Sequence, residues 1–502
     1  MTNLASLSPV RSAFRTALAE IQQYPIAAEW RPAYMTSVDA LPRVERAPLP
    51  FLTQARPPAQ PFANQRFTVA GALRQMAAGT LTAVELAQAT LDVIDQREAE
   101  LNAFVYYVPA DELLAQAEQL DRERLAGQLR GLLHGIPIGV KDVIAVAGMP
   151  NTASSPVLAD NIADQDAYCI QMLKAAGALI NGKTQTYEFA LGVVTPQSRN
   201  PWDSTRNPGG SSGGSGIAVA TGMSIAAMAT DTRASVRVPA ALCGVVGYKP
   251  TYGLVPTAGM TMLSWSLDHV AHLAATVEDA ALLLDVLVEP QVETYTSYLN
   301  RDVTGLRIGV PLAALVDAEP GVLAAFQRSV DALRACGAEV IEIETPSAAD
   351  FDLAVLLGLV VSRCEAAAYH QAFRELKIEY ANLAVTEQLD EASHVSAVDY
   401  LQAQRAREDL RARMLASMQP YDALLMPTCR VTAPRNEEVE NYFLVLSQNC
   451  ILWSFIGLPV ISIPCGLTDA GLPVGAQLVA GPLEDGRLLA IAAALESQLV
   501  AI

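Results

Sequence analysis

Three short stretches hold the residues whose types could do chemistry. The first is Lys141-Asp142, which ends the apolar run 132–140. The second is Asn207-Pro208-Gly209-Gly210-Ser211-Ser212-Gly213-Gly214-Ser215, and the third is Asp231-Thr232-Arg233-Ala234-Ser235-Val236-Arg237-Val238-Pro239-Ala240-Ala241. Glycines this dense let backbone amides approach a ligand, and serine hydroxyls can attack or relay a proton. A glycine-serine run is ordinarily a linker. This one leads straight into apolar sequence, so a buried turn is expected.

Three nucleophile schemes compete for these residues. A Ser-His-Asp hydrolase would use the G-x-S-x-G pattern at 209–213 or 210–214, with His269 beside Asp268 as its best histidine. That elbow needs a strand before it, and Asn200-Pro201-Trp202-Asp203 and Arg206-Asn207-Pro208 are loop formers. A Cys-Glu-Lys scheme needs a reactive thiol, whereas Cys243 in Ala241-Leu242-Cys243-Gly244-Val245 has the surroundings of a small core residue. The third scheme couples two serines to a lysine. A free lysine titrates near ~10.4, too high for a base working near ~7, but burial penalises the ammonium form. The strand before Lys141 offers such burial, one serine can relay the proton, and backbone N–H groups before the other can hold an oxyanion. Each such donor is worth roughly 100- to 1000-fold in rate.

A fourth pattern points elsewhere. Gly177-Ala178-Leu179-Ile180-Asn181-Gly182-Lys183-Thr184 satisfies the phosphate-loop spacing, but that loop requires a strand before it and a helix from its Lys-Thr. Here a helix over 166–176 precedes it and the intervening residues are apolar, so nucleotide binding is not expected.

The elements that must position these groups read as α/β. Thr82-Ala83-Val84-Glu85 has the form of a capping box, and Val84, Ala87, Leu91 and Ile94 repeat at helical spacing. Helices are predicted over 111–125, 276–288, 322–336, 351–361, 398–418 and 485–499, and the apolar run 213–230 reads as one buried helix. Strands are predicted over 132–140, 178–180, 245–254, 305–311, 339–343, 421–427 and 458–464. The alternation sets the class. Residues 1–65 form a separate N-terminal arm, helical over 8–22 and proline-rich over 42–61, lying on the body or on a neighbouring protomer of a homodimer. Residues 66–502 form the main domain.

The 502 residues carry 53 acidic and 34 basic side chains, a net charge of −19. That balance argues against nucleic-acid or anionic-membrane partners. No secretory leader and no membrane span is legible, and seven scattered cysteines without a C-x-x-C pair read as reduced thiols of a cytoplasmic protein.

Gly135-Ile136-Pro137-Ile138-Gly139-Val140-Lys141-Asp142, the 206–215 and 231–241 stretches, Gly247-Tyr248-Lys249-Pro250-Thr251, Ser266-Leu267-Asp268 and Leu472-Pro473-Val474-Gly475 with Gln477 follow one another in order. In this the chain resembles the amidase signature family of serine hydrolases over roughly residues 68–499. The resemblance implies a mixed twisted β-sheet sandwiched by α-helices. It implies Lys141 as general base, Ser211 as the bridging serine, Ser212 as a structural loop residue and Ser235 as nucleophile. It also implies oxyanion donors from the backbone of Thr232, Arg233, Ala234 and Ser235. The implied activity is hydrolysis of a small-molecule carboxylic amide through an acyl-enzyme, with no metal and no cofactor. An esterase or carbamate hydrolase, the ammonia-releasing component of a tRNA-dependent amidotransferase and a non-catalytic binding protein share these residues. One departure stands out: Arg233-Ala234 occupies positions where most members carry small residues. Arg233 is expected either to point away and pair with a carboxylate, at some cost if its φ is positive, or to border the pocket and favour a substrate with a carboxylate or another acceptor nearby. The 233–244 segment is closest to members acting on aryl- or indoleacetamide-like substrates.

Overall fold

Lys141 and the 231–235 turn leave adjacent central strands of a single large sheet. The computed structural model describes residues 9–24, 46–57, 60–63, 65–288, 293–376 and 379–499. In chain order the strands are β1 Phe104–Tyr107, β2 Pro137–Lys141, β3 Leu179–Thr184, β4 Ala226–Asp231, β5 Val246–Lys249 and β6 His269–Ala274. They continue with β7 Arg307–Pro311, β8 Glu339–Ile343, β9 Ala423–Pro427, β10 Val460–Leu467 and β11 Pro473–Val479. Their order across the sheet is β1-β3-β2-β4-β6-β5-β10-β11-β9-β7-β8. β2 runs parallel to both β3 and β4, β7 runs parallel to both β8 and β9, and the remaining neighbours are antiparallel. The sheet is therefore mixed, and helices pack against it.

Every residue of β2 and β4 is buried. Strands covered on both faces lose the in-out alternation and read as continuous apolar runs. This corrects the expectation of one helix over 213–230. The helix Gly213–Thr221 ends at Gly222, whose φ of 83° lies in the left-handed region, and the chain then enters β4. An apolar run without period does not tell a helix followed by a strand from one longer helix. The strand expected at 178–180 extends to Thr184, so Gly182-Lys183-Thr184 are strand residues and cradle no phosphate. β1, β6 and β11 lie outside the predicted strands. β6 is disguised by two histidines, of which His272 stacks on Tyr248 with ring centroids 5.3 Å apart.

The helices follow their sequence cues more closely. Thr82 and Glu85 form the reciprocal capping box of helix Ala83–Leu101, and Asp485–Leu499 matches its prediction. Helix Ala348–His370 is longer than expected, and Leu383–Ser393 fills part of the stretch that carried no legible element. The N-terminal helix Pro9–Gln23 buries Phe14, Ala17 and Ile21, an i, i+3, i+7 stripe, in a core shared with Phe351, Ala406 and Leu410. Past it, Arg46 pairs with Glu484 at 2.9 Å and Phe51 bridges to Arg301, so the described part of the arm lies on its own body. The rest of the proline-rich arm, at 42–45 and 58–59, lies outside the described residues. No helix among the described residues is long and apolar enough to cross a membrane.

Candidate active site

Lys141 is fully buried at the end of β2. Its Nζ donates to Ser211 Oγ at 2.7 Å and to Thr230 Oγ1, on neighbouring β4, at 2.8 Å. Both contacts are hydroxyls. Burial therefore dominates and brings the lysine down to about 7, against the weaker opposing pull of Asp231 and Asp268. At neutral pH a substantial share of Lys141 is the free amine, which can accept a proton.

Ser211 sits in a loop fixed from several sides. Asn207 Oδ1 accepts from the Thr195 and Gly209 amides, and Thr195 Oγ1 donates to the Gly209 carbonyl at 2.9 Å. The peptide bond Gly210-Ser211 is cis. Gly210 packs against the Val194 backbone so closely that any Cβ would collide with it, which makes glycine obligatory there. Ser212 is a stitch. Its amide donates to the Ser235 carbonyl at 3.2 Å and its hydroxyl to the Thr230 carbonyl at 3.3 Å, tying the glycine loop to β4 and to the next turn.

That turn leaves β4 and carries Ser235, which is buried. Asp231 holds both its ends: its carboxylate accepts from the Val236 amide at 3.1 Å and from Arg237 Nε and Nη2 at 3.0 Å each. Burial alone would raise Asp231, but Arg237 outweighs it and leaves the carboxyl below its usual range. Arg237 Nη2 also donates to the Arg233 carbonyl at 2.9 Å, with Ser454 Oγ at 3.4 Å. Thr232 Oγ1 donates to Asp268 at 2.6 Å, and burial raises Asp268 to about 6. The amides of Arg233, Ala234 and Ser235 donate to no acceptor among the described residues. Unpaired backbone N–H groups in a buried turn call for an acceptor from outside the chain.

Arg233 departs from one of its two expectations. Its φ is not in the positive range, so the substitution for a small residue stores no left-handed strain. It does not pair with a carboxylate either. Its guanidinium is buried, and none of its three nitrogens has a hydrogen-bond partner among the described residues.

The competing nucleophile schemes lose their footing. No strand precedes Gly209, as an elbow would require. His269 Nδ1 faces the backbone carbonyls of Asp231 and Leu267, and burial lowers its basicity far below the ordinary range. Cys243 faces the Pro208 carbonyl, and burial raises its thiol well above the ordinary range. The sequence reading missed Thr230, Asp231, Arg237 and Ser454. Asp231 and Arg237 stand in the quoted 231–241 stretch, but nothing in their spacing shows that the turn folds them into an ion pair, and Ser454 arrives from a distant helix, Ile451–Phe455. Reading β4 as a strand would have exposed Thr230 as its last hydroxyl.

A cavity of about 390 Å³, whose lining includes Tyr187, Gly192, Val193, Val194, Asn382 and Phe443, adjoins the serine loop. Tyr187 N–H donates to the Ser211 carbonyl at 3.0 Å, so this wall is anchored to the loop itself.

The sequence matches the family described as Amidase over residues 85–489. An amidase of Pseudomonas putida is 37% identical over 452 residues, 86% of this chain and 96% of that protein. A glutamyl-tRNA(Gln) amidotransferase subunit from Chloroflexus aggregans is 36% identical over 467 residues, 84% of this chain and 94% of that one. A solved amidase structure matches with a TM-score of 0.78 at 32% identity, covering 86% of this chain and 99% of its own.

Proposed function

The chain belongs to the Amidase family and is a hydrolase of amide C–N bonds, and from that premise we propose that it cleaves a small-molecule carboxylic amide through an acyl-enzyme on Ser235. Neutral Lys141 takes the Ser211 proton while Ser211 takes the proton of Ser235, whose Oγ attacks the carbonyl carbon. The oxyanion that forms accepts from the amides of the 232–235 turn. The C–N bond then breaks, and the proton on Lys141 returns through Ser211 to the leaving nitrogen. Water enters by the same relay, hydrolyses the ester on Ser235, and the carboxylate departs. The observation that carries this reading is Lys141 Nζ at 2.7 Å from Ser211 Oγ, buried and without a carboxylate in contact.

Treatment with a fluorophosphonate, followed by mass spectrometry, tests it. Modification is expected at Ser235 and is lost in Lys141→Ala; a label on Ser212, or none, rejects the assignment. A panel of amides, with aryl- and indoleacetamides as one arm and esters and carbamates as another, then ranks the substrate classes. A role within an amidotransferase is supported by the Chloroflexus relative, and co-purifying partner proteins with glutaminase activity would favour it. The seven free cysteines support a cytoplasmic, reducing location. A homodimer is expected, and light scattering measures it.

A further inference from the structure

Arg233 is 4% exposed, and Arg363, on helix Ala348–His370, is 2% exposed. Arg233 has no partner for any guanidinium nitrogen among the described residues. Arg363 uses its donors on neutral acceptors: Gln388 Oε1 at 2.6 Å, Ser362 Oγ at 3.0 Å and the Leu191 carbonyl at 3.2 Å. The two cations feel each other. Burial, and then the charge of Arg233, lowers Arg363 far below the usual arginine range, and burial brings Arg233 down to about 10. Two like charges without a counter-ion in a low-dielectric interior do not stabilise a fold, and apolar side chains of similar volume would serve stability better.

Their placement gives the pair a use. Arg233 lies two residues before Ser235, and its carbonyl is held by Arg237 and Ser454. The Leu191 carbonyl that receives Arg363 belongs to the loop joining Tyr187 to Val194, and both of those residues touch the Gly210-Ser211 backbone. The two cations thus stand on the two segments that flank Ser211 and Ser235. A guanidinium presents parallel N–H donors that match a carboxylate, and a second cation beside it strengthens the charge match.

We propose that Arg233 and Arg363 form a buried receptor for a carboxylate on the substrate, so that the enzyme selects amides that are themselves anions; this rests on the amidase reading above. The carboxylate can belong to the acyl part or to the amine part, and two matched pairs separate these. Glutaramate against pentanamide tests the acyl side, and N-butanoylglycine against N-butanoylpropylamine tests the amine side. The expected result is a kcat/KM preference of about 30-fold or more for the anion in one pair. The preference collapses toward parity in Arg233→Gly and falls in Arg363→Gln. Glutarate is also expected to slow fluorophosphonate labelling of Ser235 in the wild type and not in Arg233→Gly, which reads the receptor without turnover. Equal or better use of the neutral member in both pairs overturns the proposal. So does a preference that persists in Arg233→Gly, or labelling that glutarate leaves unchanged. In each of these cases labelling at Ser235 leaves the amidase reading standing, whereas absent labelling overturns both.

Discussion

Arg233 and Arg237 stand on one turn, four residues apart and both buried, and they have opposite surroundings. Arg237 meets both oxygens of Asp231, the hydroxyl of Ser454 and two backbone carbonyls. The Arg233 guanidinium meets no acceptor among the described residues. The same contrast recurs on β2 and β3. Val140 is opposite Lys183 in their register, so Lys183 and Lys141 leave the sheet on opposite faces. Lys183 Nζ reaches Asp142 at 3.2 Å, whereas Lys141 touches only hydroxyls. Where a buried cation has a carboxylate, it fastens the fold. Lys141 and Arg233 lack a carboxylate, and no ion pair holds either of them among the described residues.

The largest effect expected from this contrast is on rate. Ser235→Ala should lower kcat/KM by about 10⁴-fold or more, and Lys141→Ala by about 10²- to 10⁴-fold. Steady-state kinetics on any accepted amide reads both, and a Lys141→Ala enzyme as fast as wild type would end the contrast between the two lysines. Stability comes next. Arg237→Met leaves the Asp231 carboxylate buried without its cation, a loss of about 3–5 kcal/mol in urea unfolding. Arg233→Met removes an unpaired buried charge and should instead raise stability, by about 1 kcal/mol or more. Equal losses in the two variants would show that Arg233 has a structural partner after all.

The smallest effect is in pH. With Lys141 near 7, kcat/KM should rise roughly tenfold per unit below pH 7 and level off above it, because only the free amine accepts a proton. The sign for stability follows from the same lysine. Between about 7 and 10.5 the unfolded chain holds a proton that folded Lys141 has released, so its contribution to stability rises with pH across that window. Lys141→Met should lower the slope of that part of the stability profile, to which Lys249, also brought down to about 7 by burial, contributes as well; thermal unfolding from pH 7 to 10 measures it.

Much of the catalytic geometry was legible because its residues sit in local motifs. Lys141 ends an apolar strand and Ser211 lies in a glycine loop, and the two side chains meet directly, while the parallel pairing of β2 and β4 brings Thr230 to the same lysine. What supports them was not legible. Asp231 and Arg237 read as ordinary charges until the turn folds them together, and Ser454 joins from more than two hundred residues away. The fold failed to show where burial on both faces erased periodicity, as in β4, and where polar residues disguised a strand, as in β6. Whether Arg233 pairs with a carboxylate was not legible in the sequence, and the folded chain supplies no such partner among the described residues.

The helix Pro9–Gln23 lies well before residue 85, where the family match begins. It packs on Ala348–His370, Leu383–Ser393 and Ala397–Met418, and the first two of these carry Arg363 and Gln388. What is inherited as a family and what folds as a body therefore have different borders here. A truncation drawn at the family border would bare Phe351 and its neighbours and loosen the wall that holds Arg363.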